Sequence, residues 1–372
     1  MTIPYLYCPE CGTEYDAGPD EPWRCPEDGH ALDLQTPPLP DGDPLPISKL
    51  DTRRGLWTFH EFLPVDQRVT LGEGFTPLVD APDWDAQFKL EYVSPTGSFK
   101  DRGATTTLSR AAGLGVEKVI EDSSGNAGSA IATYAARAGI EADVYVPASV
   151  KQSKLMAIQR SGARPVRVEG SREDVTRAAI EAVEAGEGWY ASHAWNPAFY
   201  AGTMTFAIEL AAQRDWTAPD AVVTPVGHGT LLLGAYRGFD LLHRAGIIDS
   251  MPRLLGAQAA GYSPLAARFH GEPDAEDVAD DVPNEMADGI QIREPARQGQ
   301  LLDALRSTDG DCIALGENIV ENTLDALHRR GFYVEPTCAV APAALTKYRE
   351  MGVVGEDDDV VVPLTGSGLT SL

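Results

Sequence analysis

Lysine is scarce in this 372-residue chain: it occurs only as Lys49, Lys89, Lys100, Lys118, Lys151, Lys154 and Lys347. Against 56 acidic side chains stand 30 basic ones, for a formal charge of −26. A surface this negative repels phosphates, which argues against nucleic acid as a partner. Self-repulsion on this scale destabilises a fold unless salt screens it, so the composition points to a salt-rich cytoplasm, that of a halophile. No apolar run reaches the roughly eighteen residues of a membrane span, and no membrane partner is expected. The opening Met1-Thr2-Ile3-Pro4 lacks the basic and apolar regions of a secretion signal, so the expected location is cytoplasmic. The cysteines are Cys8, Cys11, Cys25, Cys312 and Cys338; an odd count in a cytoplasmic chain argues against a disulfide framework.

What is present is globular. Hydrophobic residues make up 43 %, and the length suffices for two domains with a large core. Residues 1–34 read as a zinc-ribbon-like module. Cys8-Pro9-Glu10-Cys11-Gly12 aims two thiols at one tetrahedral metal. Cys25-Pro26-Glu27-Asp28-Gly29-His30 echoes it, with Asp28 where a fourth cysteine would stand. His30 completes a Cys₃His set with Cys8, Cys11 and Cys25; Asp28 is the alternative fourth ligand. The site reads as structural zinc.

Residues 35–48 are a proline-rich, extended linker. The catalytic body is expected over 49–372. A strand is expected at Phe88–Tyr92 and a helix at Lys100–Leu114. Then strands at Val116–Glu121, Ala142–Val146 and Arg164–Val168 alternate with helices at Asn126–Ala138, Lys151–Ser161 and Ser171–Ala185. A second series has strands near Ala221–Thr224, Arg253–Ala257, Asp311–Ala314 and Val360–Pro363. Such alternation predicts an α/β fold of two lobes with mostly parallel sheets and a cleft between them. The smaller lobe is expected at about 104–202, the larger at about 49–103 plus 203–372. The acidic stretch Glu272–Glu285 reads as an exposed loop.

Three turn-rich segments carry chemistry. Lys100 follows Pro95-Thr96-Gly97-Ser98-Phe99 and opens a helix, where the positive end of the helix dipole disfavours its charged form. A neutral amine there suits Schiff-base chemistry with a carbonyl compound. Ser123-Ser124-Gly125-Asn126-Ala127-Gly128 lies between strand and helix and offers N–H groups and hydroxyls to a carboxylate. Gly227-His228-Gly229-Thr230 has the same setting and suits a phosphate; it is neither a Walker loop nor a dinucleotide fingerprint. Thr365-Gly366-Ser367-Gly368 offers hydroxyls after the last strand. Together these form an inventory for pyridoxal phosphate (PLP) and an amino acid.

With these motifs in view, the sequence resembles the fold-type II, tryptophan synthase β-like PLP enzymes and, within them, the threonine synthase branch. The matching motifs are Gly72–Leu78, Pro95–Gly103, Ser123–Gly128, Glu335-Pro336-Thr337 and Leu364–Leu369. The resemblance implies that Lys100 carries the cofactor and shuttles protons, and that Asn126 bonds the cofactor's 3-hydroxyl oxygen. It implies that Ser123, Ser124 and Ala127 hold the substrate carboxylate alongside Asn126. It further implies that Gly227, His228, Gly229 and Thr230 bind the cofactor phosphate, that Thr365 faces the pyridine nitrogen, and that a homodimer forms.

The implied reaction is conversion of O-phospho-L-homoserine and water to L-threonine and phosphate. One departure bears on it. Where threonine synthases carry a phosphate-binding Asn-Pro-x-Arg-x-Glu-Gly-x-Lys-Thr segment, Phe199 replaces the arginine and Met204 the lysine. Lys151, Lys154 and Arg160 are alternative cations. The uncharged residues favour a rival, an L-threonine or L-serine ammonia-lyase; cysteine synthase-like β-replacement and a non-catalytic PLP-binding paralogue are further alternatives.

Overall fold

A computed structural model of the chain describes residues 3–40, 42, 44–271 and 283–371. The first elements are strands β1 (Leu6–Tyr7), β2 (Glu14–Tyr15), β3 (Asp33–Leu34), β4 (Leu78–Ala81) and β5 (Ala86–Lys89). Then follow α1 (Lys100–Leu114), β6 (Lys118–Glu121), α2 (Asn126–Ala138), β7 (Glu141–Pro147), α3 (Gln152–Arg160), β8 (Arg164–Val168), α4 (Arg172–Glu184) and β9 (Trp189–Tyr190). The rest is α5 (Pro197–Gln213), β10 (Ala221–Pro225), α6 (Thr230–Arg244), β11 (Arg253–Ala259), α7 (Pro264–His270), α8 (Gln298–Ser307), β12 (Asp311–Leu315), α9 (Glu317–Arg329), α10 (Pro336–Glu350) and β13 (Val360–Pro363). Among the described residues no helix is long and apolar enough to cross a membrane.

The chain forms two units. The first comprises Met1–Pro40, Thr52–Glu73 and Lys100–Thr203. Its main sheet is parallel, in the order β8-β7-β6-β9. The chain leaves β6 for β7 on one side, and β9 later returns to the other, so the strand order reverses between β6 and β9. Open α/β sheets bind ligands outside the carboxyl ends of strands at such a reversal. Ala104, Leu108, Ala130, Ile131 and Val144 form part of one continuous core beneath α1 and α2. Ser171 caps α4 as the periodicity requires: its hydroxyl accepts from the Asp174 N–H, and Asp174 accepts from the Ser171 N–H in return.

The second unit comprises Asp41–Asp51, Gly74–Phe99 and Met204–Leu372. Its sheet runs β12-β11-β10-β13-β5-β4, with only the edge strand β4 antiparallel. Here the order reverses between β10 and β13. Both strands are buried along their whole length, so they read as near-continuous apolar runs, broken only by Thr224, rather than alternating ones. Burial of each such valine contributes about 1.5–3 kcal/mol.

The structure amends several expectations. β6 begins at Lys118 rather than Val116, because the Val116 N–H is used to close the end of α1 on Ala111. The strand expected at Phe88–Tyr92 runs instead from Ala86 to Lys89, and a tight turn over Glu91–Val93 follows. That turn lets Glu91 accept from the Thr76 hydroxyl at 2.7 Å. Residues 52–73, read with the larger lobe, belong to the first unit: the Trp57 indole donates to Glu73 and Thr105, and the Tyr134 hydroxyl donates to Glu73. The N-terminal module is not separate either. Glu21 forms a buried ion pair with Arg110 of α1, and Trp23 packs edge-on against Tyr190 and Trp195. Of the acidic stretch expected as a loop, residues 272–282 lie outside the described residues. At its end Pro283 and Glu285 are exposed as expected, while Asn284 between them is buried, bonded to Leu315 and Ala287.

Candidate active site

In the first unit Lys100 is the first residue of α1 and is half-buried. The helix it opens is polar in sequence yet almost wholly buried; the hydroxyls of Thr105, Thr106 and Ser109 are bonded internally, while that of Thr107 is not. Thr105 donates to the Val69 carbonyl at 2.7 Å and Thr106 to the Ala198 carbonyl at 2.7 Å. Two glycines allow this helix and the start of α5 to touch. A Cβ on Gly103 would lie 2.3 Å from the Phe199 ring, and one on Gly202 would lie 1.8 Å from the Arg102 carbonyl oxygen. The close approach puts the centre of the Phe199 ring 5.9 Å from Lys100 Nζ.

The turn carrying Ser123, Ser124, Gly125 and Asn126 joins β6 to α2, and its N–H groups at the start of the helix have no carbonyl one turn earlier to bond. Gly128 is required there: a Cβ would lie 1.8 Å from the Ser123 carbonyl oxygen. Just before the turn, at the carboxyl end of β6, stands Glu121. His193 follows the carboxyl end of the neighbouring β9. The His193 Nδ1 lies 2.8 Å from Glu121 Oε1, and the His193 N–H donates to Oε2 at 3.2 Å. Burial pushes the Glu121 carboxyl well above its usual range and Asp122 adds to this, while the His193 N–H, Lys100 and Arg172 oppose it. Asp122 accepts from the hydroxyls of Thr176 and Ser192. Sequence reading did not single out Glu121 or His193; a histidine in a chain with only seven, just ahead of the Asn196-Pro197 helix start, was the available signal.

In the second unit Gly227, His228, Gly229 and Thr230 form the turn between β10 and α6. Gly229 has φ +70°, and a Cβ on it would strike Leu301 at 2.3 Å; one on Gly227 would press on Ile290 and Ile292 at 3.1 Å. The backbone is thus seated closely enough to cradle a small anion at the helix N-terminus. Thr365 lies just past β13. Its N–H donates to Cys338 Sγ, its carbonyl accepts from the Phe99 N–H at 3.0 Å, and its buried hydroxyl has no hydrogen-bond partner. Thr224, at the end of β10, carries a second such hydroxyl. A buried polar group left unpaired costs about 1–3 kcal/mol, a cost that a ligand's polar group at either hydroxyl would offset. Bonds from Phe99 to Thr365 and from Ser367 to Gly97 strap residues 97–99 to this strand end, and Lys100 is the next residue in the chain.

Two further groups were not anticipated. Lys89 and Glu209 form a fully buried pair at 2.5 Å, and Glu209 also accepts from the N–H groups of Phe75 and Thr76. This pair anchors the start of the Phe75-Thr76-Pro77 segment. Phe199 and Met204 are both buried. Lys151 and Arg160 are exposed at the ends of α3.

In the N-terminal module the two knuckles are matched. Gly12 bonds back to the Cys8 carbonyl at 2.9 Å and Gly29 to the Cys25 carbonyl at 2.8 Å, with φ of +75° and +76°. The second knuckle therefore presents Asp28 where the first presents Cys11. Ligand atoms of Cys8, Cys11, Cys25 and Asp28 all lie within 4.8 Å of one another. His30, expected to complete the set, stands outside it, with Nδ1 3.2 Å from Asp28 Oδ1.

A family model described as pyridoxal-phosphate dependent enzyme matches residues 69–366. The chain is 33 % identical to a threonine synthase from Methanocaldococcus jannaschii over 376 aligned positions, covering 97 % of this chain and 92 % of that protein. It is 34 % identical to a threonine synthase from Mycobacterium bovis, covering 81 % and 83 %. Among solved structures it is similar to the processed form of threonine deaminase isoform 2 from Solanum lycopersicum, with a TM-score of 0.67 at 20 % identity over 78 % of this chain and 79 % of that one, a likeness of fold.

Proposed function

The chain belongs to the pyridoxal-phosphate dependent enzyme family, and on that premise we propose that it is a PLP-dependent lyase of the threonine synthase type, converting O-phospho-L-homoserine and water to L-threonine and phosphate. Similarity to threonine synthases along almost the whole chain carries this reading. The residues fit the cofactor. The glycine cradle at 227–230 suits its phosphate, and the unpartnered Thr365 hydroxyl suits its ring nitrogen. When bound, PLP supplies an electron sink for charge developing on the substrate's carbons.

Lys100 would hold the cofactor and move protons at the substrate's carbons. Ser123, Ser124 and Ala127 would orient the carboxylate, and Asn126 the cofactor's 3-oxygen. A hydroxyl at Thr365 rather than an acid would leave the bound cofactor's ring nitrogen largely unprotonated, which would favour elimination and replacement over transamination. Lys100→Ala should abolish both the visible absorption of bound cofactor and turnover. The deciding assay is phosphate release from O-phospho-L-homoserine in concentrated KCl, with amino-acid analysis of the product. Phosphate and threonine in equal amounts bear the reading out.

The buried, uncharged Phe199 and Met204 support a second reading, the ammonia-lyase. No phosphate release from cofactor-loaded protein, with a 2-oxo acid formed from L-threonine, would establish it. For the N-terminal module we propose structural zinc on Cys8, Cys11, Cys25 and Asp28. The 3.6 Å between the sulfurs of Cys11 and Cys25 is close to the about 3.8 Å that a tetrahedral site with Zn–S near 2.3 Å requires. Metal analysis of the purified protein tests it, and a metal-free preparation rejects it. A salt-rich cytoplasm and a homodimer complete the proposal; light scattering in KCl checks the assembly.

A further inference from the structure

We propose that His193, oriented by Glu121, donates the proton to the oxygen that leaves the substrate's side chain. The assignment rests on the carbon–oxygen lyase reading above. Its first support is position. Glu121 and His193 stand at the carboxyl ends of β6 and β9, the strands between which the first unit's sheet reverses order, where such sheets take their ligands. The same strand end runs directly into the Ser123–Asn126 turn.

The second support is proximity to the lysine. The Phe199 ring centre is 5.9 Å from Lys100 Nζ and 6.0 Å from the His193 ring, and the charge on Lys100 acts on Glu121. The third is the pair's chemistry. With the His193 ring charged, Glu121 is its counter-ion and accepts from Nδ1–H, which fixes the bridging proton and leaves Nε2 as the nitrogen that exchanges one; without that charge beside it, burial favours the neutral carboxyl. Nothing in packing the core requires such a pair, since burying a carboxyl group costs stability.

The step balances as follows. Lys100 takes a proton from the substrate's carbon skeleton, the C–O bond breaks with its electron pair passing to oxygen, and Nε2 of the imidazolium gives its proton to that oxygen. The imidazole left behind keeps its Nδ1 proton on Glu121 and is reprotonated at Nε2 from water. General-acid assistance of this kind contributes about 10²–10⁴-fold. The charged and titratable groups around the pair are Asp122, Tyr190, Lys100 and Arg172.

The test uses cofactor-loaded wild type, His193→Gln, His193→Gly and Glu121→Gln, assayed with O-phospho-L-homoserine and with L-threonine. The visible spectrum checks cofactor loading in each. Expected for His193→Gln is a fall in kcat of about 100-fold or more with little change in KM, and for His193→Gly partial recovery by added imidazole. Glu121→Gln can still accept from Nδ1–H while removing the negative charge, at the cost of the bond that the His193 backbone N–H gives to the second oxygen. Its imidazolium loses its proton at lower pH, and the limb on which kcat falls with rising pH should move down by about one unit or more. Wild-type kcat in His193→Gln, or a limb unmoved in Glu121→Gln, overturns the assignment alone. Wild type inactive on both substrates removes the lyase reading and this assignment with it.

Discussion

On the proposed function, Thr365 is a side chain placed for a partner that the protein itself does not provide. Its hydroxyl is buried and unbonded, while its backbone is held on both sides, by Cys338 and by Phe99. Thr365→Val has nearly the same shape and lacks the hydroxyl. The variant without cofactor should therefore be as stable as wild type or more so, by up to about 1 kcal/mol, since an unpaired buried group is removed. PLP affinity should instead fall about 2–10-fold, the worth of one hydrogen bond. Thermal melts with and without PLP separate the two effects; a parallel loss in both would show that Thr365 is only a packing residue. Lys89 and Glu209 are the opposite case, a buried pair that is fully satisfied within its own unit. Removing one charge there should cost about 3–5 kcal/mol, because the other is left buried and uncompensated.

At the scale of elements, the contact of α1 with the start of α5 sets the ground around Lys100. Helices cross this closely only where side chains are absent, and Gly103 and Gly202 supply the gaps. Gly202→Ala would drive a methyl group into the Arg102 carbonyl, a backbone atom with little room to yield. The expected cost is about 1–3 kcal/mol or more, with Phe199 displaced from Lys100. Chemical denaturation in KCl measures the first, and the absorption of the bound cofactor reports the second. Unchanged stability would mean that the helices slide freely past each other. Elements were also the most legible level in the sequence. α1, α2 and β8 begin and end where their apolar periods, glycines and flanking turns indicate, because these signals are local. The end of β5 was not legible, since the turn after it bonds to Thr76 in another segment; β6 starts late for a local reason, the Val116 N–H being taken by Ala111 at the end of α1.

At the scale of the whole molecule the formal net charge of −26 dominates. Repulsion among carboxylates is screened within about 10 Å at 0.1 M salt and about 3 Å at 1 M. Stability should therefore rise steadily from dilute buffer to molar KCl, and the melting temperature should follow. A salt-independent melting curve would count against the halophilic reading. By itself the sequence determined the α/β class, the parallel character of the sheets, the lysine that opens α1 and the glycine turns at strand ends, because each is written in contiguous residues. Only the tertiary structure decided that Asp28 joins the thiols in place of His30, that Phe199 lies beside Lys100, and that Glu121 meets His193 at a strand-order reversal. The last two pairings join residues far apart in the chain, and their geometry comes from strand order and helix packing, which no local pattern records.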